Sequence, residues 1–306
     1  MRPDVWIPED TPAPEAERIG VLATVHRYPL SGPVAEPDKP ADLLVAAFDP
    51  DRALEVAGQL TQLRAIQAFS AGVDGFIGRI PPGVVLCDAA GVHDIPVAEW
   101  VVMSILASRR RLPEHLAEQR EGVWGTEARV GHDLMDATVL LVGAGGIGRG
   151  VEARLAPFGV KVVRVARRTR AGVRSLADLP ALLPTADIVV ILLPLTPETR
   201  GLVDTAFIGA LRPGALLVNA YRGAVVDTAV ITDAVLAGRL TVALDVTDPE
   251  PLPEGHPLWS APGALITPHV ASDVVREDER AWRLALEQVG RLSRGEPLVN
   301  VVVDGY

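Results

Sequence analysis

A glycine-rich turn at residues 137–149 constrains the fold more than any other feature of this chain. The stretch reads ATVLLVGAGGIGR, in which the apolar β-formers Thr138 to Val142 run directly into the glycines. In such a pattern Gly143 permits a sharp turn, Gly145 lets a phosphate approach the main chain, and Gly148 lets helix and strand pack closely. The N–H groups that begin the following helix face the phosphates. The pattern therefore predicts a dinucleotide site in a β–α–β unit.

Short β-branched or leucine-rich runs follow this turn, separated mostly by intervals long enough for a helix. They are Val160–Val165, Ile188–Leu193, Ala215–Asn219, Thr241–Asp245 and Ala264–Thr267. Together with the strand that precedes the glycines they make about six, the strand count of a doubly wound dinucleotide domain. Ligands bind such sheets at the carboxyl ends of the strands. We therefore expect ligand-binding or catalytic residues near positions 166–170, 194–196, 220–223 and 268–269.

The first hundred residues predict a second, smaller α/β unit. Strands are expected at Ile19–Val25, Leu43–Phe48, Ile66–Phe69 and Val84–Cys87, after an irregular, proline-rich start over residues 1–18. Asp49 and Pro50 are typical of a helix N-terminus and predict a helix over residues 52–63. Alternating strands and helices indicate a parallel sheet covered on both faces. This unit has no phosphate-binding glycine pattern, so it is the candidate substrate domain.

A final helix over residues 276–293 and the tail LVNVVV are expected to return to this first unit. The predicted fold is therefore α/β with two doubly wound parallel-sheet domains, a Rossmann cofactor domain inserted into a smaller flavodoxin-like substrate domain. The boundaries that we predict are residues 1–97 plus 273–306 for the substrate domain, and 98–272 for the dinucleotide-binding domain.

Composition limits the partners and the compartment. The formal charge of −10 argues against nucleic acid, because binding to phosphates needs a cationic surface. No apolar run has the length of a membrane span and the N-terminus has no signal-like segment, so no membrane partner is expected. The single cysteine, Cys87, fits a reducing cytoplasm. Only Lys39 and Lys161 are lysine among 29 basic residues, which weakens any single arginine as a functional signal.

One long helix is predicted from Pro96 to Arg109, and it is apolar nearly all round. Such a helix is buried on several sides. It is either a central core helix or the contact of a homodimer, and we favour the homodimer.

Several motifs stand in a fixed order along the chain: FSAGVD, VAEW, VGAGGIGRG, LLPLTPETRGLVD, LRPGALLVNAYRGAVVD, ALDVTDPEPLP, HPLW and TPHVA. From about Ile66 to Val301 the sequence thereby resembles the D-isomer-specific 2-hydroxyacid dehydrogenases, in particular those similar to glyoxylate/hydroxypyruvate reductase. The resemblance implies an NAD(P)-dependent oxidoreductase that acts on the CH–OH group of 2-hydroxy acids.

The resemblance implies three catalytic side chains. Arg222 would hold the 2-keto acid and polarise its carbonyl, since a planar guanidinium can pair with a carboxylate through two hydrogen bonds. His269 would be the general acid/base, a role that suits an imidazole near neutral pH. Glu250 would pair with the histidine and fix its tautomer. Asp248 is a rival in the same loop, and the spacing from Asp245 favours Glu250.

The same resemblance implies the binding residues. Main-chain N–H groups of Ala71 and Gly72 would hold the substrate carboxylate, together with Arg222 and His269. The cofactor would lie on the glycine turn and on the ends of the following strands. The residues expected to bind it are Gly143, Gly145, Gly146, Ile147, Gly148, Arg167, Arg168, Leu193, Pro194, Ala220 and Asp245.

Two positions depart from the pattern of the family. Where the family usually has an aspartate closing the second strand, this chain has Ala166, followed by Arg167 and Arg168. An acid there would bind the ribose 2′-hydroxyl and repel a 2′-phosphate, so its loss favours NADP(H) over NAD(H). Gly146 replaces an arginine that is common in the glycine turn, which removes one phosphate contact.

We therefore predict a cytoplasmic, homodimeric reductase of small 2-keto acids such as glyoxylate or hydroxypyruvate, using NADPH and giving the (R)-alcohol. Two alternatives remain open: a dinucleotide-sensing, corepressor-like binding protein on the same scaffold, and a dehydrogenase of the 3-phosphoglycerate type. The histidines show no metal-ligand spacing, so no metal is expected. Trp100, Trp124 and residues 29–40 could each line the substrate pocket, whereas residues 256–259 are expected to pack within a loop.

Overall fold

The structure is a computed structural model that describes residues 2–125 and 130–303. It divides the chain into two compact units, which we call unit 1 (Met1–His93 with Val274–Tyr306) and unit 2 (Asp94–Asp273). The sequence predicts residues 98–272 for the second unit, whereas this division starts at Asp94 and ends at Asp273. No helix in the described ranges combines the length and the apolar character that crossing a bilayer requires.

The helices and strands follow one another in alternation along most of the chain. In order they are β1 (Asp4–Pro8), α1 (Ala13–Leu22), β2 (Thr24–Tyr28), β3 (Leu43–Ala47), α2 (Pro50–Gln59), β4 (Ala65–Ala68), β5 (Val85–Cys87), α3 (Asp94–Arg109), α4 (Leu112–Glu121), β6 (Thr138–Val142), α5 (Gly146–Leu155), β7 (Lys161–Ala166), β8 (Arg174–Ser175), α6 (Leu179–Leu182), β9 (Ile188–Ile191), α7 (Thr205–Ala210), β10 (Ala215–Asn219), α8 (Thr228–Leu236), β11 (Leu240–Leu244), β12 (Ala264–Ile266) and α9 (Glu277–Arg294).

Unit 1 is built on a five-stranded sheet in the order β2-β1-β3-β4-β5, with parallel neighbours. This order is that of flavodoxin-like folds. Both faces of the sheet are covered, because successive strand residues point to opposite sides and both sets are apolar. On one face α9 closes the core through Trp282 and Ala285, so the C-terminal helix belongs to the first unit, as the sequence predicts.

Two predictions for the N-terminal region were wrong. Residues 1–18 were expected to be irregular, yet they contain β1 and the start of α1. The apolar core of β1 is fully buried, and its prolines are tolerated because they stand at or beyond the strand ends. Residues 19–25 were expected to form one strand, but they span the end of α1 and the start of β2. Ile19 is buried while Val21 is exposed, and Pro14 suits the first turn of a helix.

Unit 2 is built on a seven-stranded sheet in the order β12-β11-β10-β9-β6-β7-β8. Its strand pairs are parallel, and the order reverses beside β6, the strand that leads into the glycine turn. This is the Rossmann arrangement, in which ligands bind at the reversal point. Six strands were expected. The additional strand, β8, has two residues at the sheet edge, which is too short to give a sequence pattern.

The helix predicted over residues 96–109 is α3, and one side of it belongs to the core of unit 2. Trp100, Val101 and Ile105 are buried there with residues of β6, β9 and β10. Trp100 is therefore part of the core of unit 2. Met103 on the same helix is 46% exposed, so α3 also contributes apolar surface.

Candidate active site

Neighbouring strands bring the candidate catalytic segments to one edge of the sheet of unit 2. Asn219 is level with Leu244 on the adjacent strand, and Leu244 is level with Ile266 on the next. The residues that follow these three strands therefore emerge side by side. Arg222, the segment 245–250 and His269 all belong to these emerging loops.

The buried carboxylate of Asp245 organises the loop that carries His269. Asp245 is 2% exposed. Its Oδ1 accepts hydrogen bonds from the Thr267 hydroxyl (2.6 Å) and from the Val270 N–H (2.9 Å), and its Oδ2 accepts one from the Ala271 N–H (2.9 Å). The carbonyl of Asp245 accepts the His269 N–H at 2.8 Å. The loop is thus tied to the end of β11 both before and after the histidine.

His269 itself has a backbone φ of +56°, a conformation that residues other than glycine seldom adopt. The hydrogen bonds around it hold this conformation. Its side chain projects towards Glu250, whose Oε1 lies 2.5 Å from Nδ1 of the imidazole. An ionised carboxylate can only accept hydrogen bonds, so Nδ1 carries the proton of this contact. The second ring nitrogen, Nε2, takes no part in the contact and can bind another partner. Both side chains remain accessible, at 50% for the histidine and 42% for the glutamate.

Arg222 stands on a turn that Asn219 organises. Asn219 is fully buried, and its Nδ2 donates to the carbonyl of Arg222 at 2.9 Å. Nη1 of Arg222 donates to the carbonyl of Tyr221 at 2.7 Å, and Cζ lies 5.5 Å from the centroid of the Tyr221 ring. The guanidinium is therefore oriented by its own turn and by a cation–π contact. Sequence reasoning missed Asn219, although a buried polar residue at the end of an apolar strand was a signal for it.

The turn of Arg222 packs directly against the loop of Glu250. A Cβ built on Gly223 would overlap the carbonyl of Thr247, so only glycine permits this approach. At the start of α8, the hydroxyl of Thr228 donates to the carbonyl of Asp248 at 2.6 Å. Asp248 thus takes part through its main chain, and it is Glu250 that pairs with the histidine. The two loops form one packed assembly.

A cavity of about 310 Å³ opens beside this pair. His269, Glu250 and Asp245 contribute its polar wall, and Leu252, Trp259 and Ile266 contribute apolar surface. Trp259 is 52% exposed, and its Nε1 donates to the carbonyl of Pro253 at 3.0 Å. The sequence predicts that residues 256–259 pack within a loop. The structure places their tryptophan in the wall of the cavity, beside the histidine.

The glycine turn has the geometry that a dinucleotide needs. Gly143 has a φ of +128°, and a Cβ there would overlap the carbonyl of Leu192. A Cβ on Gly148 would overlap the carbonyl of Gly143, which accounts for the close approach of helix and strand. By contrast, a Cβ on Gly145 would meet no atom within 4 Å, so the backbone there is open to a ligand. Ile147 is buried behind the turn.

The segment after β7 carries the arginines expected near the adenosine ribose. Arg167 and Arg168 are exposed. Nη2 of Arg170 donates to the carbonyl of Ala144 at 2.5 Å, which ties this segment to the glycine turn. The pKa of the exposed Glu198 is lowered, first by a hydrogen bond from the Thr196 side chain and more weakly by the charge of Arg167. The charge of Arg167 thus already acts on this carboxylate.

The other residues expected at the cofactor lie on the ends of β9 and β10. Leu193 and Ala220 are buried, and Pro194 is half-buried. The carbonyl of Pro194 accepts a hydrogen bond from the Thr199 hydroxyl at 2.6 Å, and the Thr196 N–H donates to the same hydroxyl at 2.8 Å. Thr199 thus closes the turn that follows β9.

The substrate loop expected at Ala71 and Gly72 follows β4 in unit 1. The hydroxyl of Ser70 donates to the carbonyl of Gly72 at 2.5 Å, and the carbonyl of Ser70 accepts the Ala89 N–H at 3.1 Å. These bonds fold the loop into a compact turn at the carboxyl end of the strand.

The chain is similar to known proteins over most of its length. Residues 102–271 match the family model described as "D-isomer specific 2-hydroxyacid dehydrogenase, NAD binding domain". The chain is 32% identical to glyoxylate/hydroxypyruvate reductase A of Yersinia enterocolitica, over 88% of either chain. It is also 32% identical to D-3-phosphoglycerate dehydrogenase of Mycobacterium tuberculosis, where the match covers 88% of this chain and 52% of the relative. The chain thus spans about half the length of that relative.

Among solved structures, one neighbour is the NADPH-dependent glyoxylate/hydroxypyruvate reductase of Sinorhizobium meliloti in complex with NADP and sulfate. The TM-score is 0.80 at 28% sequence identity, and the match covers 100% of both chains. With these matches and the site geometry above, the chain belongs to the D-isomer-specific 2-hydroxyacid dehydrogenase family, oxidoreductases that act on the CH–OH group of 2-hydroxy acids with a nicotinamide dinucleotide.

Proposed function

We propose that this protein reduces small 2-keto acids, such as glyoxylate or hydroxypyruvate, to the corresponding 2-hydroxy acids with NADPH, giving the (R) configuration where the product is chiral. The observation that carries the proposal is the hydrogen-bonded pair of Glu250 and His269 in the wall of the 310 Å³ cavity, with the turn of Arg222 packed against the same loop. The similarity to reductases of glyoxylate and hydroxypyruvate supports the choice of substrate.

Each side chain has a role that follows from its chemistry. The guanidinium of Arg222 binds the substrate carboxylate and polarises the 2-keto group. A nicotinamide dinucleotide held at the glycine turn would provide the hydride that C2 needs. Nε2 of His269 donates the proton that the developing alkoxide needs. Glu250 accepts the hydrogen bond from Nδ1, and its negative charge stabilises the imidazolium form that carries this proton.

The preference for NADPH rests on the segment after β7. Arg167 and Arg168 are exposed cations at the strand end where the ribose 2′-position is expected, and the carboxylate usual in the family is replaced by Ala166.

We place the protein in the cytoplasm, because its single cysteine, Cys87, is buried as a free thiol at the end of β5.

The test of substrate and cofactor is oxidation of NADPH or NADH with a panel of 2-keto acids. We expect kcat/KM for glyoxylate and hydroxypyruvate to exceed the values for phenylpyruvate and phosphohydroxypyruvate, and NADPH to exceed NADH about tenfold or more. Arg168→Ala should lower kcat/KM for NADPH and leave the value for NADH within about twofold, because only NADPH offers the 2′-phosphate. The control is Arg174→Ala, an exposed arginine on β8. A clear preference for NADH would refute the cofactor assignment, and a preference for phosphohydroxypyruvate would refute the substrate class.

The acid/base assignment is tested by His269→Ala. Loss of a general acid typically lowers turnover by a factor of about 10² to 10⁴. We therefore expect kcat to fall in that range while the Kd for NADPH stays within about threefold. Glu250→Gln should lower kcat less, because the amide still accepts the hydrogen bond but carries no charge. The matched control is His115→Ala, since His115 lies on α4 beside Glu118. Turnover of His269→Ala near that of the wild type would show that the proton comes from another group.

We also propose a homodimer formed through the apolar surface of α3, α4 and the segment that follows α4. Exposed apolar side chains are concentrated on these consecutive elements: Met103, Leu112, Leu116, Val123 and Trp124. Trp124 is 93% exposed, which is exceptional for a tryptophan. Neighbouring exposed apolar residues of this kind indicate a protein contact.

Analytical sedimentation or light scattering measures the mass of the protein in solution and therefore tests the proposed dimer. We expect the wild-type mass to be twice that of one chain, and Leu116→Asp to shift the population to monomer because a carboxylate would be buried in the contact. Leu236→Asp, on the exposed end of α8, is the control and should leave the dimer intact. A monomeric wild type, or equal effects of the two substitutions, would contradict this interface.

A further inference from the structure

The carboxylate of Asp94 fills the space beside Gly146 in the glycine turn. Asp94 is the first residue of α3, and Gly146 is the first residue of α5. A Cβ built on Gly146 would overlap Oδ1, Oδ2 and Cγ of Asp94. A side chain at position 146 and a carboxylate at position 94 therefore exclude each other in this arrangement.

The packing of the two helices fixes this contact. A Cβ on Gly150, one turn after Gly146, would lie 3.0 Å from the Cβ of Ala98 and 3.3 Å from the carbonyl of Asp94. Gly146 and Gly150 are four residues apart, as are Asp94 and Ala98, so each pair lies on one helix face. The two glycines thus allow α3 to approach the start of α5 closely, and this approach holds the carboxylate at the first turn of α5.

The first turn of α5 is also where a dinucleotide places its pyrophosphate. The N–H groups and the dipole of a helix N-terminus attract anions, and the open backbone at Gly145 gives a phosphate access to them. A carboxylate at the same turn competes for this positive potential and repels the phosphates. Two charges a few ångströms apart interact appreciably even in partly solvated surroundings.

We propose that Asp94 limits the affinity of this enzyme for nicotinamide dinucleotides by holding a negative charge beside the pyrophosphate position, and that residue 146 is glycine because the carboxylate takes the place of a side chain. The inference rests on the dinucleotide site of the proposed function, and it is independent of the substrate. It also accounts for the absence of the arginine that the family pattern led us to expect at position 146.

The test compares the binding of three ligands to the full-length protein by calorimetry. NADPH and ADP-ribose contain the pyrophosphate, whereas adenosine 2′-monophosphate does not. We expect Asp94→Asn to lower the Kd of NADPH and of ADP-ribose by about threefold or more at low salt, and to leave the Kd of adenosine 2′-monophosphate unchanged. Because salt screens the repulsion, the gain should shrink at high ionic strength.

The matched control is Glu99→Gln. Glu99 lies on the same helix and pairs with Arg154 at 3.1 Å, so this variant removes one negative charge of α3 away from the glycine turn. Equal gains for Asp94→Asn and Glu99→Gln would overturn the proposal, since they would reflect net charge alone. An equal gain for adenosine 2′-monophosphate would overturn it as well. Weaker binding by Asp94→Asn would mean that the carboxylate accepts a hydrogen bond from the cofactor, the opposite of what we propose.

A second pair of variants tests the steric part through thermal unfolding. Gly146→Ala should lower the melting temperature, because the added methyl group meets the carboxylate, and Asp94→Ala in the same chain should restore most of the loss. Additive effects of the two substitutions would show that the residues do not compete for one space. These measurements need no turnover, so a failure of the keto-acid assignment would leave them interpretable, and their failure would leave the keto-acid assignment intact.

Discussion

The candidate catalytic apparatus depends on one buried carboxylate, that of Asp245. It accepts hydrogen bonds from a hydroxyl and two N–H groups of residues 267–271, so a segment without regular structure acquires a defined shape. That shape includes the positive φ of His269 and directs its imidazole at Glu250. A buried carboxylate is tolerated when hydrogen bonds compensate for its lost hydration, and these three donors supply them. The resemblance implied a place for Asp245 near the nicotinamide, and its bonds in the structure give it a positioning role as well.

Much of the fold could be predicted because parallel strands buried on both faces leave a plain signal. Runs such as Ile188–Ile191 are apolar without alternation, and the glycine turn fixes where the doubly wound sheet begins. The failures were local. In the first 18 residues the prolines suggested irregular structure, although they stand at or near the ends of helices and strands, where they are tolerated. The two-residue strand β8 is too short to have a pattern at all.

The candidate site was predictable to the extent that its residues follow strands in recognisable motifs. The pairing of Glu250 with His269 is of this kind. Contacts between segments remote in the chain were not predictable, because they depend on packing. Asn219 beneath the turn of Arg222, Trp259 in the cavity wall and Asp94 against Gly146 belong to this group. Position 146 illustrates the difference between the two kinds of information. The sequence shows glycine where the family commonly has arginine, and only the structure shows that the Asp94 carboxylate occupies the space of a side chain there.

Hydrogen–deuterium exchange of the segment 267–272 in Asp245→Asn tests the central claim most directly. An amide retains one acceptor oxygen but turns an N–H group towards the donors of the loop, and an unsatisfied buried group of this kind costs about 1–3 kcal/mol. We predict that exchange in this segment accelerates about tenfold or more and that keto-acid reduction falls with it, whereas Asp233→Asn on the exposed side of α8 changes neither. Exchange at the wild-type rate in Asp245→Asn would contradict the account, because the loop would then be held by something other than this carboxylate.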